Sequence, residues 1–98
     1  MGKYLMLWEI DTSRTPVSPR ERGSSFSLLL DMVRQDFEKG LIKDWGAFVG
    51  GNKGFTIVEG SEVEVGIMSQ QYVPFVHFQS FPVASVKDVS QVLKSLIG

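Results

Sequence analysis

The first apolar stretch of the chain, residues 4–10, carries large apolar side chains at both odd and even positions. A strand with one solvated face would alternate apolar and polar residues, so this pattern predicts a strand that is covered on both faces. Residues 75–81 form a second stretch of this kind, in which only His77, Gln79 and Ser80 are polar. The pattern therefore predicts two strands that are largely apolar on both faces.

A long helix is predicted between residues 18 and 40. Ser18, followed by Pro19 and by a glutamate three positions after the serine, is typical of a capping box at a helix N-terminus. Gly40 suits the left-handed residue that ends many helices. Between them, apolar residues recur at spacings of three and four, as on one face of a helix: Phe26, Leu29, Leu30, Val33 and Phe37.

The second half of the chain predicts two more strands and two more helices. Residues 41–49 and 55–59 are predicted strands, and the glycine-rich residues 50–54 between them predict the tight turn of a β-hairpin. Ser61 with Glu64 is a second capping box, which opens a short helix to about residue 71. Ser85 opens a last helix, and one face of it is apolar: Val86, Val89, Leu93 and Leu96.

The order of these elements is β-α-β-β-α-β with an extra C-terminal helix. This is the split βαβ, or ferredoxin-like, pattern: an α+β fold with an antiparallel four-stranded sheet and both main helices on one face. Ninety-eight residues correspond to one domain, so residues 1–98 are assigned to it as a whole. Since aliphatic side chains pack well against helices, we assign four residues to the helix side of the sheet: Leu5, Leu7, Val76 and Phe78.

The helices can cover only one face of such a sheet, whereas strands one and four are apolar on both. A large exposed apolar face is unusual in a lone protein and indicates a partner surface. A chain of 98 residues also has a modest core of its own, which favours self-association. We therefore expect a homodimer that forms through the open sheet face, in the simplest case sheet against sheet.

Two segments of the chain resemble a known group of proteins. Residues 4–10, YLMLWEI, and residues 42–51, IKDWGAFVGG, with the long helix between them, are similar to a family of short, uncharacterised prokaryotic proteins in the dimeric α/β-barrel superfamily. The likeness extends to about residue 85. It implies a homodimer whose two sheets form a barrel, with a pocket between sheet and helices in each chain. Members of the superfamily, such as muconolactone isomerase-like and small monooxygenase-like proteins, differ in chemistry, so the resemblance implies no particular reaction.

Composition and charge exclude several classes of function. Ten basic against eleven acidic residues give a net charge of -1, which argues against a nucleic-acid partner. With no cysteine and one histidine, the chain offers no disulfide, thiol nucleophile or multi-histidine metal site, and we predict neither metal nor cofactor. No run approaches the roughly 20 apolar residues of a membrane span, and the N-terminus lacks signal-peptide features. We expect a cytoplasmic protein without a membrane partner.

Five residues are candidates for binding a small-molecule ligand: Tyr4, Trp8, Trp45, His77 and Gln79. Tyr4 and Trp8 share a face of strand one, and strand four, which carries His77 and Gln79, is its neighbour in this fold. Aromatic walls with a few polar groups are typical of a small-molecule pocket, but they are also typical of a dimer core, and packing in an interface or core is the favoured interpretation. His77 is the first candidate for acid–base chemistry because its unperturbed pKa lies near neutrality; the alternative is a buried structural histidine.

Two classes of function remain open at this point. The first is a small-molecule-binding protein or small enzyme with an aromatic pocket, and the second is a non-catalytic dimerisation module. A third interpretation is an RNA-recognition-type binder, since residues 53–59 match the start of the third-strand motif of that fold. In that motif stacking aromatics belong where Ile57 and Gly60 stand, which disfavours RNA. The sequence names no substrate, and it leaves open whether the protein is an enzyme.

Overall fold

Seven regular elements follow one another in the predicted order in a computed structural model, which describes residues 2–98. The elements are β1 (Gly2–Ile10), α1 (Pro19–Glu38), β2 (Ile42–Ala47), β3 (Lys53–Gly60), α2 (Glu62–Gln70), β4 (Val76–Val83) and α3 (Val86–Ile97). A short 3-10 turn, Thr12–Arg14, follows β1. Among these residues, no helix is long and apolar enough to cross a bilayer.

The four strands form one antiparallel sheet in the order β2-β3-β1-β4. The central strand β1 is paired along its length with β3 on one side and with β4 on the other. The edge strand β2 pairs with β3 and contains a register shift between Ile42 and Asp44. The predicted α+β class with a four-stranded antiparallel sheet is confirmed, and the strand order is consistent with a ferredoxin-like layout.

A serine begins each of the three helices. The Ser18 hydroxyl accepts a hydrogen bond from the backbone N–H three residues later, with proline at the first helical position. Ser61 and Ser85 form complete capping boxes, with Glu64 and Asp88 accepting hydrogen bonds from the serine N–H groups. These backbone hydrogen bonds hold the pKa of both carboxyls below its ordinary value. The predicted helix starts are therefore correct.

Helices α1 and α2 cover the same face of the sheet and enclose the core with it. The buried apolar residues come from all four strands or their ends and from both helices: Met6, Trp8, Val33, Ile42, Val58, Val65, Met68, Tyr72 and Val76. Even-numbered residues of β1 face this core, because neighbouring residues of a strand point to opposite faces.

The assignment of Leu5 and Leu7 to the helix side is wrong, whereas that of Val76 and Phe78 is correct. In the register of the sheet, Trp8 pairs with Phe78, so these two residues share a face. Leu5 and Leu7 have the opposite parity and lie on the open face, where Leu7 is 36% exposed. On β1, the side chains of Met6 and Trp8, rather than those of the leucines, lie under the helices.

Helix α1 departs from its predicted apolar stripe near its end. Phe37 was predicted to face the core, but it is 43% exposed and the preceding residue, Asp36, is only 2% exposed. Both residues lie on the margin of the stripe, since they follow Val33 by three and four positions. Asp36 takes the buried position because the Tyr72 hydroxyl donates a hydrogen bond to it there.

Helix α3 contributes nothing to this core. None of its residues is buried, and its large apolar residues are between 45% and 89% exposed. The helix follows β4 after a connection of only two residues, Ala84 and Ser85. The molecule is accordingly elongated, with principal extents of 61 × 25 × 18 Å.

One glycine of the sheet is required by a neighbouring aromatic ring. Gly54 pairs with Trp8 in the antiparallel register of β1 and β3. A Cβ atom at position 54 would overlap both the Trp8 indole and the Gly46 carbonyl oxygen. The absence of a side chain at Gly54 therefore lets the Trp8 ring lie flat against the backbone of β3.

Replacing Gly54 with alanine is expected to destabilise the protein by about 1–3 kcal/mol, because neither the indole nor a backbone carbonyl can move away cheaply. The free energy of unfolding can be measured by urea denaturation followed by circular dichroism. Gly23→Ala in α1 is the matched control, since its Cβ would have no neighbour within 4 Å. That control should stabilise the protein by about 0.5–1 kcal/mol. Equal effects of both substitutions would contradict the assigned role of Gly54.

Candidate ligand-binding site

A cavity of about 240 Å³ lies between the sheet and helix α1. Its exposed lining residues, Ala47, Gly51 and Asn52, belong to the β2–β3 hairpin, so the cavity opens at that end of the sheet. No lining residue carries a charged side chain. The lining consists of Trp8, Ile10, Phe26, Leu29, Leu30, Val33, Ile42, Trp45, Ala47, Gly51, Asn52, Thr56, Met68, Tyr72, Val76 and Phe78.

Two stacked indoles form the sheet side of the cavity. The ring centroids of Trp8 and Trp45 lie 5.3 Å apart and their planes differ by 8°. The Trp8 Nε1 donates a hydrogen bond of 3.2 Å to the Phe55 carbonyl oxygen, which fixes the ring on the sheet. Beside it, the Thr56 hydroxyl donates to the Asp44 carbonyl at 2.9 Å and so ties β3 to β2 near Trp45. The hydrogen bond of Trp8 fixes one indole on the sheet, and Trp45 lies parallel to it in the stack.

The opposite side of the cavity is built from α1 and from the turn that follows α2. Leu29, Leu30 and Val33 project from α1 toward the sheet. The ring of Tyr72 meets that of Phe78 edge to face, with centroids 5.8 Å apart and planes at 77°. The space between these residues and the indoles is therefore bounded almost entirely by carbon.

Asp36 and Tyr72 form a buried polar pair beside the cavity. The Tyr72 hydroxyl donates a hydrogen bond of 2.6 Å to Asp36 Oδ2, and the two residues are 3% and 2% exposed. Burial, followed by the hydrogen bond to the carboxylate, raises the pKa of Tyr72 far above its ordinary value. The phenol thus stays protonated and its proton is held by Asp36. The pair links α1 to the turn before β4 and gives the buried carboxylate its partner.

Sequence reasoning missed this pair, although a signal for it exists. Asp36 follows Val33 by three positions, which places a carboxylate on the margin of an otherwise apolar helix face. A carboxylate at such a position needs a buried hydrogen-bond donor. Tyr72 is 36 residues away, and nothing in the local pattern identifies it as that donor.

The structure brings three of the five candidate ligand residues to one side of the sheet. Trp8 and Trp45 line the cavity, and Tyr4 lies on the same face, partly buried against the core. His77 and Gln79 lie on the opposite face, because His77 pairs with Glu9 and Gln79 pairs with Leu7. The sheet therefore separates these two residues from the stacked indoles.

The alternative interpretation of His77 as a buried structural histidine is wrong, because its side chain lies at the surface. The side chain is 65% exposed, and its Nε2 lies 3.3 Å from Asp11 Oδ2. Asp11 also accepts a 2.6 Å hydrogen bond from the Ser13 hydroxyl, which lowers the pKa of this carboxyl. Because the carboxylate stands between the hydroxyl and the imidazole, His77 cannot withdraw the Ser13 proton as in a serine hydrolase.

The open face of the sheet carries a second feature, an apolar band across its middle. The band crosses the three strands β3, β1 and β4, and no helix of the described chain is packed on it. Exposures of 48% for Phe81 and 36% for Leu7 leave much of its carbon in solvent. The apolar band consists of Leu5, Leu7, Phe55, Ile57, Phe81 and Val83.

Charged residues bound the apolar band at both ends. At one end Lys3 pairs with Glu59 across β1 and β3. At the other end Glu9 lies between Lys53 and His77, and Lys53 Nζ is 3.9 Å from Glu9 Oε1. An apolar centre with a mixed-charge margin is typical of a protein interface.

Neither the cavity nor the open face of the sheet has the composition of a metal site. Within residues 2–98, no group of three or more histidine, aspartate or glutamate side chains is placed to hold a metal ion. No protein-family model matches the chain, and no curated protein matches it.

Replacing Tyr72 with phenylalanine is expected to lower the free energy of unfolding by about 1–3 kcal/mol, because the Asp36 carboxylate is left buried without its donor. Urea denaturation measures the change. The double variant Asp36→Leu/Tyr72→Phe should regain most of the loss, since it removes both polar groups. If Tyr72→Phe alone were neutral, the hydrogen bond would make no net contribution to stability.

Proposed function

We propose that this protein binds a small, uncharged, aromatic molecule in the cavity between the sheet and α1. The observation that carries the proposal is the stacked pair of Trp8 and Trp45, which lines a space of about 240 Å³. A purely apolar cavity of about 150 Å³ is enough to bind benzene, so this one suits one or two fused rings. A charged ligand would lose its hydration without gaining an ionic partner, because no lining residue carries a charge.

Binding is better supported than catalysis. The lining residues include no carboxylate, imidazole or amine that could act as a base or nucleophile. The one phenol in the lining, Tyr72, already donates its proton to Asp36. His77, the first candidate for acid–base chemistry, lies on the other side of the sheet. We therefore assign the cavity a binding role, in which the ligand packs against the stacked pair of Trp8 and Trp45.

The probe for this cavity is 2-naphthol, an uncharged two-ring molecule. We expect it to shift the indole N–H resonances of Trp8 and Trp45, the only two tryptophans of the chain. For a ligand of this size the Kd should be about 0.1–1 mM. Two-dimensional NMR of the ¹⁵N-labelled protein measures both the shifts and the affinity.

A matched pair of variants tests whether the cavity is the site. Leu29→Trp fills it from α1 and should weaken binding about tenfold or more. Leu28→Trp adds the same side chain one residue earlier, where the leucine is 68% exposed, and should leave the affinity unchanged. His77→Ala should also bind normally. No binding of 2-naphthol or of smaller uncharged aromatics would contradict the proposal and favour a non-catalytic dimerisation module.

We also propose that the domain has the ferredoxin-like fold. We propose further that it pairs with a second copy through the open sheet face, as in a dimeric α/β barrel. The apolar band and its charged margins support this assembly. Pairing would remove Phe81 and Leu7 from water, which the chain alone does not achieve. The family resemblance of residues 4–10 and 42–51 implies the same arrangement.

The solution mass tests the assembly directly. Light scattering coupled to size exclusion should give about 22 kDa, twice the chain mass of 10.9 kDa. Leu7→Lys places a charge in the apolar band and should shift the mass toward 10.9 kDa, whereas Leu28→Lys on α1 should not. A monomeric wild-type chain would contradict the dimer. It would instead favour an RNA-recognition-type binder that presents Phe55 on the exposed sheet.

A further inference from the structure

One row of residues across the sheet lies at the mouth of the cavity. Glu9 pairs with Lys53 across β1 and β3. The next two residues, Ile10 and Asn52, lie opposite each other, and the Ile10 N–H donates a 2.8 Å hydrogen bond to the Asn52 carbonyl oxygen. On its other side Ile10 pairs with Val76. Asn52, Ile10 and Val76 all line the cavity, and Asn52 is the only one of the three with a polar side chain.

The pleat of β3 sets the direction of the Asn52 side chain. Asn52 has the same parity as Gly54 and Thr56, and Thr56 is buried on the helix side. Since alternate residues of a strand share a face, the Asn52 side chain lies on the side of the sheet that carries the indoles. Gly54, between them, has no side chain, and the Trp8 ring occupies that space. The Asn52 amide therefore follows the Trp8 ring in the direction of the mouth.

The hairpin turn does not account for an asparagine at position 52. Asparagine is favoured in such turns because it tolerates a positive φ. Here Gly50 takes that conformation, with a φ of 80°, and none of the described non-glycine residues has a positive φ. The turn is closed by the backbone, with a 3.1 Å hydrogen bond from the Gly51 N–H to the Phe48 carbonyl oxygen. In the part of the chain that the structure describes, the Asn52 amide makes no hydrogen bond to the protein.

Five residues of the cavity lining carry a polar hydrogen in the side chain: Trp8, Trp45, Asn52, Thr56 and Tyr72. The indole N–H of Trp8 and the hydroxyls of Thr56 and Tyr72 already donate within the protein. The Trp45 indole can donate a hydrogen bond but cannot accept one. Of the five, the Asn52 amide alone offers a ligand both a donor and an acceptor. It is also exposed at the mouth, where a polar group bound to it keeps part of its contact with water.

From these observations we propose that the Asn52 amide is the specificity-determining contact of the cavity and binds the polar group of the ligand at the mouth. The inference rests on the binding function proposed above and names the class of ligand. That class is an uncharged aromatic molecule with a single hydroxyl or amide group at one end. Its rings enter first and pack against Trp8 and Trp45. A hydroxyl or an amide both donates and accepts hydrogen bonds, and so is complementary to the amide of Asn52.

The variant Asn52→Ala tests this contact, because it removes the amide and keeps the carbonyl oxygen that accepts from Ile10. We expect it to bind 2-naphthol about threefold to tenfold more weakly than the unmodified protein, which is the net effect of one hydrogen bond. Toluene has no polar group, so its Kd should be the same for both proteins. Gln79→Ala is the matched control, since it removes an amide from the opposite face of the sheet. It should bind both ligands like the unmodified protein.

NMR provides two further readouts in the unmodified protein. Asn52 is the only asparagine of the chain, so its side-chain amide resonances can be followed individually. The addition of 2-naphthol should shift them, and toluene should shift them much less. Nuclear Overhauser effects should join the hydroxyl-bearing ring of 2-naphthol to the Ala47 methyl at the mouth, and the other ring to the buried methyls of Val33. The reverse orientation would overturn the inference.

The outcomes separate this inference from the function on which it rests. If the unmodified protein binds both ligands and Asn52→Ala binds 2-naphthol equally well, the role of Asn52 is overturned and the cavity remains a binding site. An equal loss of both ligands would also overturn that role, because the substitution would then act on the shape of the mouth. If the unmodified protein binds neither ligand, both proposals fail. A loss confined to 2-naphthol supports both.

Discussion

The pleat of the central strand β1 is the constraint on which the rest of the structure depends. The strand is hydrogen-bonded along its length to β3 and to β4, so it cannot shift its register without breaking both pairings. Its even-numbered residues consequently face α1 and α2, and its odd-numbered residues face the open side. The register also fixes the faces of the neighbouring strand β4. Phe78 pairs with Trp8 and lies on the helix side, whereas His77 pairs with Glu9 and lies on the open side. The cavity on one face of the sheet and the apolar band on the other therefore both follow from the register of β1 with its neighbours.

Separate interactions hold the two walls of the cavity in place. The indoles of Trp8 and Trp45 are fixed on the sheet by stacking and by the hydrogen bond to Phe55. On the other side, the hydrogen bond between Tyr72 and Asp36 ties α1 to the turn before β4. The Trp8 indole N–H and the Tyr72 hydroxyl both donate hydrogen bonds within the protein. What is left in the middle is apolar, and a neutral aromatic molecule is the ligand that such a space accepts without loss of hydration.

Local signals predicted much of this fold, and the failures have a common physical origin. Serine caps, glycine-rich turns and apolar spacing depend on neighbouring residues, so the order of strands and helices could be derived from them. The choice of face could not, because β1 is apolar at both parities and only the partners of a strand decide which set is buried. That is why Leu5 and Leu7 were assigned to the wrong side. For the site, Trp8 and Trp45 could be predicted as aromatic wall residues. Asp36 and Tyr72 could not, because their contact joins positions that no local pattern relates.

Gly54 links the residue at position 54 to the presence of the Trp8 indole in the cavity wall. The Trp8 ring occupies the volume that a side chain at position 54 would fill, so the two positions share one space. A side chain at position 54 can be accommodated only if a smaller residue replaces Trp8 and the Gly46 carbonyl also shifts. Over evolutionary time such positions change together or stay fixed together. In descendants of this chain, a side chain at position 54 would therefore signal the loss of the indole at position 8, and with it the stacked pair that lines the cavity.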